Sequence, residues 1–558
     1  MPRDLNALNS ECFDLVVIGG GITGICVARD AILRGLTVAL IEQNDFASAT
    51  TSASSKMIHG GLRYLKNFEF SLVRESLRER RLWAKNAPHM MRPLKFMLPT
   101  WRSGAQTRTA MHVFISMYDV LSFDRNRLDD PCLHLPRHQM LKRADAVALE
   151  PGMDALKATG AAIFYDYQMH SPERLALDCI LAAREQGLVA MNYGRVTGFE
   201  SEEDTLAAVQ VEDLLTQTQY TVRGKCFVNA SGPWADVLMG TLQEGGSPRK
   251  LIRSKGIHLI VRKLTEGHAI GLNGHEGHFF LIPWRGHTII GTTDTVYKGD
   301  PGKVYATEKD IQSMLKQVNE FYPSVKLKRA DVLHTYAGLR PIVDRETKVK
   351  VESNEDESYG ASRKAEVVDH ARHGGPEGVL TAIGGKWTTS RSLAEEVVDR
   401  VFEKLDRKYR EPLTDVTPVM GGDISDFDAF LKKCYRRYND YDEEQLDYLA
   451  EQYGTCLHKV LALTAEDPEW AEAICADRFE IGAQVIYAVR KELACALEDV
   501  IFRRTGLGTL GHPGDAALQK VARWMEKELG WTHVETQSQL DQVEAVFIKS
   551  GYKKADQD

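Results

Sequence analysis

The spacing of apolar residues changes several times along this chain, and each change marks an element. Residues 13–18 read Phe-Asp-Leu-Val-Val-Ile, a short apolar run of the kind that forms a buried parallel strand. The spacing turns helical over residues 22–33, and Val-Ala-Leu-Ile at 38–41 is a second strand, ending at Glu42. Residues 225–230 form a strand that breaks at Ser231-Gly-Pro, with a helix starting near Trp234. Residues 379–383 form another strand, and Gly384-Gly385 leads into a helix beginning around Thr388. Ser171-Pro-Glu-Arg opens a helix with Ser as N-cap and Pro in the first turn; it runs to Gln186, and Gly187 closes it. Residues 353–362 are polar and acidic, the composition of a loop. From about residue 410 the pattern is helical at 427–438, 442–453, 483–504 and 516–529, and few strand candidates remain.

At 558 residues the chain is expected to divide into two to four domains. Its 43% hydrophobic and 27% charged residues are those of an ordinary globular protein, and a net charge of −8 gives no global case for nucleic acid as a partner. The first residues lack the basic start and apolar core of a signal peptide. No uncharged apolar run reaches the ~18–20 residues that span a bilayer. The expected location is the cytoplasm, and any membrane contact is expected to be peripheral. The nine cysteines are scattered and lack C-x-x-C spacing, which reads as reduced, buried thiols.

Gly19, Gly21 and Gly24 form G-x-G-x-x-G between the first strand and the first helix. Glycine permits the tight turn and lets a pyrophosphate approach the backbone, while the helix N-terminus offers N–H groups and partial positive charge. Glu42, 23 residues after Gly19, can accept hydrogen bonds from a ribose diol, and its charge would repel a 2′-phosphate. FAD or NAD is therefore favoured over NADP. The motif alone is weak, since Gly506, Gly508 and Gly511 repeat it. That copy follows a charged helical stretch and precedes His512-Pro513, so a glycine-rich turn is expected there.

Residues 50–64 pack hydroxyls, cations and glycines together, a composition suited to backbone wrapped around phosphate and flavin edges. The candidate contacts are Thr51, Ser52, Ser54, Ser55, Lys56, Gly60 and Gly61. Residues 52–65, with Ile-Gly-Gly-Gly-Ile-Thr-Gly before them, strongly resemble the FAD-dependent (respiratory, aerobic-type) glycerol-3-phosphate dehydrogenases. Further segments resemble that family in the same order: Asn229-Ala-Ser-Gly-Pro-Trp-Ala235, Ile282-Pro-Trp284, Ile290-Gly-Thr-Thr-Asp294, Tyr336-Ala-Gly-Leu-Arg-Pro341 and Ile383-Gly-Gly-Lys-Trp-Thr-Thr-Ser-Arg391. The resemblance runs from about residue 12 to 400, with a helical tail after it. It implies FAD as cofactor, Ala230 and Gly232 beneath its adenosine half, and Gly385, Lys386 and Thr388 near the flavin. The fold implied is α/β. A discontinuous Rossmann-like FAD-binding domain (11–70, 145–245 and 330–400) carries a mixed or antiparallel substrate-capping domain (71–144 and 246–329), followed by an α-helical C-terminal domain (410–558).

A phosphate-ester substrate requires converging cations, and its alcohol must lose a proton as the C2 hydrogen leaves as hydride. The resemblance implies Arg63, Tyr64, Arg340 and Lys386 on the substrate side, and Arg363 in a segment that departs from the family pattern. Arg340 could grip phosphate with two donors or stabilise a developing alkoxide. For the base the alternatives are His258, at a family active-site position within an apolar strand; His59, in the flavin loop; and Arg- or Lys-assisted transfer to water. His275, His278 and His287 lack metal-ligand spacing, and no metal is expected.

Between Lys56 and Arg108 there are 12 Lys/Arg and 3 Asp/Glu, with Trp83, Phe96, Met97 and Trp101 nearby. This stretch is either a solvated helix face that steers phosphate or, as the resemblance to membrane-bound quinone-reducing enzymes implies, a contact with anionic lipid headgroups. The expected reaction oxidises sn-glycerol 3-phosphate to dihydroxyacetone phosphate, with FAD taking the hydride and a membrane quinone the electrons. The alternatives are a glycerophosphate oxidase that releases hydrogen peroxide, an amino-acid or polyol oxidase of the same fold, and a non-catalytic flavoprotein subunit. A homodimer is the candidate assembly.

Overall fold

The computed structural model describes residues 3, 5–242, 251–275, 277–343 and 365–552. The expected strand Cys12–Ile18 lies in an eight-stranded sheet between Val38–Ile41 and Gln219–Asn229, parallel to both. Val189–Met191 and Val379–Ile383 continue the parallel arrangement on either side. Leu15, Val16 and Val17 are fully buried because both faces of this sheet are covered, which is why the run is apolar without alternation. The helices Ile22–Leu33, Pro172–Arg184 and Ser390–Lys404 pack together on one face. Ser171 caps the second of these, its hydroxyl accepting from the Arg174 N–H at 3.2 Å.

A second, ten-stranded sheet is mixed. Leu251–Arg262 pairs antiparallel with both Val332–Val343 and His287–Gly291, and Gly277–Trp284 and His268–Gly274 continue it. His268–Gly274 runs parallel to Met91–Thr100, which pairs antiparallel with Gly160–Met169. Two segments expected on the flavin side, 160–169 and 332–343, are thus strands of the capping sheet, as is Met57–Ile58. Apolar spacing identifies a strand but not its neighbours; partners separated by tens of residues decide which sheet it joins.

Beyond residue 410 the chain is helical around its own core, which includes Leu446, Leu449, Ile481, Val485 and Val521. Phe427–Arg437, Glu443–Tyr453 and Asp515–Leu529 match the expected helices to within about one residue. The helix expected over 483–504 stops at Lys491. Leu493 is left-handed (φ 59°), and the Asp499 carboxylate accepts from the Cys495 and Ala496 N–H groups before a wide π turn at Asp499–Arg504. A further helix, His533–Lys549, buries only Thr536, Val543 and Phe547, so its apolar pattern is faint. The second glycine motif follows the π turn and lies against Leu333; it is a turn, not a strand–loop–helix unit. The cysteines are unpaired, and Cys12 and Cys132 are exposed, against the expectation of burial throughout.

Candidate active site

The parallel strands end at a cavity of ≈1420 Å³ that also borders the capping sheet. Gly19, left-handed at φ 110°, lets the first loop touch the loop after Gln219–Asn229; a Cβ there would lie 2.6 Å from the Ala230 carbonyl oxygen. At Gly24 a Cβ would overlap the Gly19 carbonyl oxygen, so this glycine packs the helix on the loop and does not line the cavity. Gly21 and Gly232 do line it. The helix begins after Gly21 without a side-chain cap at that position, the arrangement that receives a pyrophosphate. Thr51 accepts from the Ile22 N–H at 2.9 Å, so its hydroxyl shapes the helix start. Glu42 accepts from the Gly20 N–H at 2.6 Å and the Asn44 N–H at 2.8 Å, and burial pushes its pKa up. Two backbone donors thereby fix its carboxylate at the cavity wall.

The polar segment divides in two. Thr51, Ser54, Ser55, His59 and Gly61 line the cavity; Ser52, Lys56 and Gly60 do not. The Ser52 hydroxyl turns back to the Ala49 carbonyl at 3.0 Å. Lys56 is left-handed (φ 54°) and buried, its Nζ 3.4 Å from Glu173 and 4.8 Å from the centre of the Trp284 ring. The Gly60 N–H donates to Asp166 at 3.2 Å, and a Cβ there would overlap Leu77 and Tyr118. These departures share a cause. A compact loop needs inward-facing groups to satisfy its own backbone, and composition does not say which residues turn inward.

Substrate-side residues come from both sheets. Ser254 and His258 lie on one face of Leu251–Arg262, and their antiparallel partners are Arg340 and Tyr336. The Arg340 guanidinium donates to Thr292 Oγ1 at 2.8 Å and to Ser254 Oγ and the Thr293 carbonyl, each at 3.2 Å. At Gly256 a Cβ would lie 2.6 Å from Thr292 Oγ1 and overlap the guanidinium. His258 is 2% exposed, with Nε2 2.8 Å from Ser55 Oγ and Nδ1 buried without a hydrogen-bond partner among the described residues. Burial, then the charges of Arg340 and Lys56, push its pKa down to about 3. Lys386 follows two left-handed glycines; its Nζ sits 3.8 Å from the Tyr64 ring centre and donates to Ser76 at 3.1 Å. The Arg63 guanidinium lies 5.5 Å from the centre of the same ring. Gly385 and Thr388 also line the cavity, and Thr388 Oγ1 accepts from the His59 N–H at 3.2 Å. Its helix starts at Ser390, two residues later than expected. Arg363 lies outside the described residues.

Sequence reasoning missed Lys66, His278 and Thr292, which share this cavity. His278 lacks metal-ligand spacing yet faces the cavity. Burial and the nearby charges of Lys66 and Arg63 push its pKa down to about 4. The signal available was a histidine at an inward position of a capping strand, visible only once pairing is known.

Five of the twelve cations of the basic stretch pair with carboxylates among the described residues, Lys56 with Glu173 being one. Arg80 pairs with Asp166, Arg74 and Arg81 with Asp124, and Arg92 with Glu451. Trp83, Phe96 and Met97 are core residues with at most 2% exposure, which corrects their reading as a lipid-facing set. Exposed apolar side chains lie instead at Phe68, Val113, Val120 and Phe123.

Residues 14–391 match the family described as FAD dependent oxidoreductase, and residues 412–536 match the C-terminal domain of alpha-glycerophosphate oxidase. A glycerol-3-phosphate dehydrogenase of Synechocystis sp. is 34% identical over 553 residues, covering 96% of this chain and 97% of that protein. The chain belongs to the family of FAD-dependent glycerol-3-phosphate dehydrogenases. An aerobic glycerol-3-phosphate dehydrogenase of Staphylococcus aureus is 31% identical over 514 residues, 89% of this chain and 87% of that one. The Bacillus halodurans glycerol-3-phosphate dehydrogenase, solved in complex with FAD, matches with a TM-score of 0.77 at 28% identity, covering 99% of this chain and 98% of that one. The residues present fit the family's cofactor. The helix start at Gly21, the fixed Glu42 carboxylate and the touching loops at Gly19 and Ala230 make a cradle for an adenine dinucleotide.

Proposed function

We propose that this chain oxidises sn-glycerol 3-phosphate to dihydroxyacetone phosphate, with bound FAD supplying the hydride acceptor for C2 and a membrane quinone as final acceptor. The observation that carries the reading is the convergence of Arg340, Lys386, Arg63 and the buried, neutral His258 on the cavity that also holds the dinucleotide loop. Arg340 is held by three oxygen acceptors, so its charge stays where a phosphate or a developing alkoxide forms. Lys386 and Arg63, both on the Tyr64 ring, supply the further charge a phosphate ester needs.

His258 takes the C2 hydroxyl proton at Nε2, the nitrogen beside Ser55. A phosphate dianion near Arg340 offsets the positive charges that hold the ring neutral, raising its basicity once substrate is bound. His59 is the weaker alternative. Its Nδ1 accepts from the Gly61 N–H at 3.1 Å, so the neutral ring carries its proton on Nε2. Anaerobic bleaching of the flavin by glycerol 3-phosphate, but not by glycerol or lactate, is the expected result. Bleaching by lactate, or none by glycerol 3-phosphate, overturns the reading.

The quinone and an anionic bilayer are supported by the cavity mouth. Phe68 and Val113 line the cavity and are 75% and 56% exposed; Val120 and Phe123 are 71% and 67% exposed. Arg74 lies over the Phe123 ring at 4.5 Å and shares the single Asp124 carboxylate with Arg81, so a net positive charge sits beside the apolar groups. Among the described residues no helix is long and apolar enough to cross a membrane. Quinone reduction outpacing peroxide release is the expected outcome, and the reverse assigns oxygen as the acceptor.

A further inference from the structure

The C-terminal helical domain reaches the dinucleotide site through one buried carboxylate. Asp45, three residues beyond Glu42, is 1% exposed. Its Oδ2 accepts from Arg503 Nε at 2.5 Å and Arg504 Nη1 at 2.7 Å, and its Oδ1 from Arg504 Nη2 at 2.8 Å and Asn192 Nδ2 at 3.1 Å. Both arginines belong to the π turn of the C-terminal domain. Arg503 also donates to Asp499 at 2.9 Å, whose carboxylate accepts from Tyr193 Oη at 2.5 Å. Arg504 Nε donates to the Glu492 carbonyl at 3.1 Å. Asp45, Asp499, Arg503 and Arg504 therefore form a buried cluster of two arginines and two carboxyl groups, with Glu498 on Arg503 at its edge at 3.0 Å, and each guanidinium is held on both domains' sides.

The same loop is bound tightly to the glycine turn. The Ala47 N–H donates to the Gly20 carbonyl at 2.9 Å, and the Gly20 N–H donates to Glu42 at 2.6 Å. A Cβ at Gly20 would lie 2.7 Å from the Phe46 ring. The Tyr193 N–H donates to the Asn44 carbonyl at 2.9 Å. Moving Asp45 therefore moves Glu42 and the glycine turn together. Replacing a buried ion cluster with apolar side chains is often neutral or stabilising, so stability gives little reason for two arginines on one carboxylate. What the cluster supplies is a fixed geometry in which neither partner can shift without exposing an unpaired buried charge.

We propose that Asp45, Arg503 and Arg504 are positioning residues for FAD, by which the C-terminal domain holds Glu42 and the glycine turn in place for the adenosine half of the cofactor. The inference rests on the family's use of FAD and not on the identity of the substrate. It assigns the C-terminal domain a role in cofactor retention, acting on the adenosine ribose and the phosphate attached to it, the half that FMN lacks, and not on the isoalloxazine.

The test compares FAD with FMN, which lacks the adenosine half, by fluorescence titration of the full-length apoprotein, alongside thermal melting. Asp45→Asn removes the charge at constant shape, and Arg504→Lys keeps the charge but loses the two-pronged grip. Either variant is expected to weaken FAD binding by about tenfold or more while FMN binding stays within about twofold. Equal losses for FAD and FMN, or no loss of FAD affinity, overturn the proposal whatever happens to the melting temperature. If Asp45→Asn does not fold, the same ratio in Arg504→Lys decides. Failure of the unaltered apoprotein to bind FAD would instead count against the family reading.

Discussion

His258 and Tyr336 face each other across two antiparallel strands, their rings stacked 4.8 Å apart with 17° between the planes. The Tyr336 hydroxyl donates to the Ser54 carbonyl at 3.1 Å, and His258 Nε2 lies 2.8 Å from Ser55 Oγ. One register pair of the capping sheet thus fastens two consecutive residues of the flavin loop. On the neighbouring strand, Gly291 leaves room for the imidazole, because a Cβ there would overlap the ring. His258→Asn is expected to slow flavin reduction by glycerol 3-phosphate roughly 10²–10⁴-fold while leaving FAD content unchanged. Tyr336→Phe should give a smaller loss in the same direction. Stopped-flow bleaching measures both, and near-normal reduction by His258→Asn would remove it as the base.

Arg340 is held at three oxygen acceptors by geometry that only a planar fork satisfies. Arg340→Lys is expected to lower kcat/KM for glycerol 3-phosphate about 10²–10³-fold, the range seen when a positioned charge-stabilising donor is lost. Gly256→Ala should act in the same direction from the adjacent strand, by displacing the guanidinium without removing it. Steady-state kinetics with a soluble electron acceptor tests both.

The apolar cavity mouth predicts where a bilayer docks. Serine at Val120 and Phe123 together should reduce sedimentation with anionic vesicles at low salt and lower quinone-dependent turnover. Turnover with a soluble dye should persist, since Val120 and Phe123 are outside the cavity lining. Unchanged vesicle binding would direct attention away from this rim.

His334 offers a pH test outside the active site. It is buried beside Phe502 and Phe547, and burial, then the charge of Lys56, pushes its pKa down to about 4. Below about pH 6.5 the unfolded chain binds a proton that the folded chain refuses, so this histidine costs stability as pH falls from 6.5 toward 4. His334→Phe is expected to be stabilised relative to the unaltered protein by about 2 kcal/mol more at pH 5 than at pH 7.5. Urea unfolding at the two pH values gives the difference directly. A pH-independent difference would mean that folding leaves the His334 pKa unshifted.

Much of this protein is legible in local sequence because local chemistry is what those parts require. A strand covered on both faces favours apolar residues at successive positions, as at 15–18, a turn at φ 110° favours glycine at Gly19, and the end of the second strand is where a dinucleotide fold is expected to carry a carboxylate such as Glu42. The G-x-G-x-x-G unit, the parallel sheet and the helical C-terminal domain followed from such constraints. The family resemblance also brought Arg340, Lys386, His258 and Tyr64 forward as candidates.

What only the tertiary structure decided is which residues meet. Side chains of one composition divide between cavity and core according to the path of the backbone. Lys56 turns inward to Glu173 while Ser55 faces His258, and Trp83 and Phe96 fill the core while Phe68 stays exposed. Strands 160–169 and 332–343 joined the capping sheet because their hydrogen-bond partners lie far away in sequence. The link between Asp45 and the Arg503–Arg504 pair spans more than four hundred residues and carries no local signature. Sequence by itself determined the elements and the chemistry available to them; folding, by burying some charges and leaving others at the cavity wall, determined which of those groups act together.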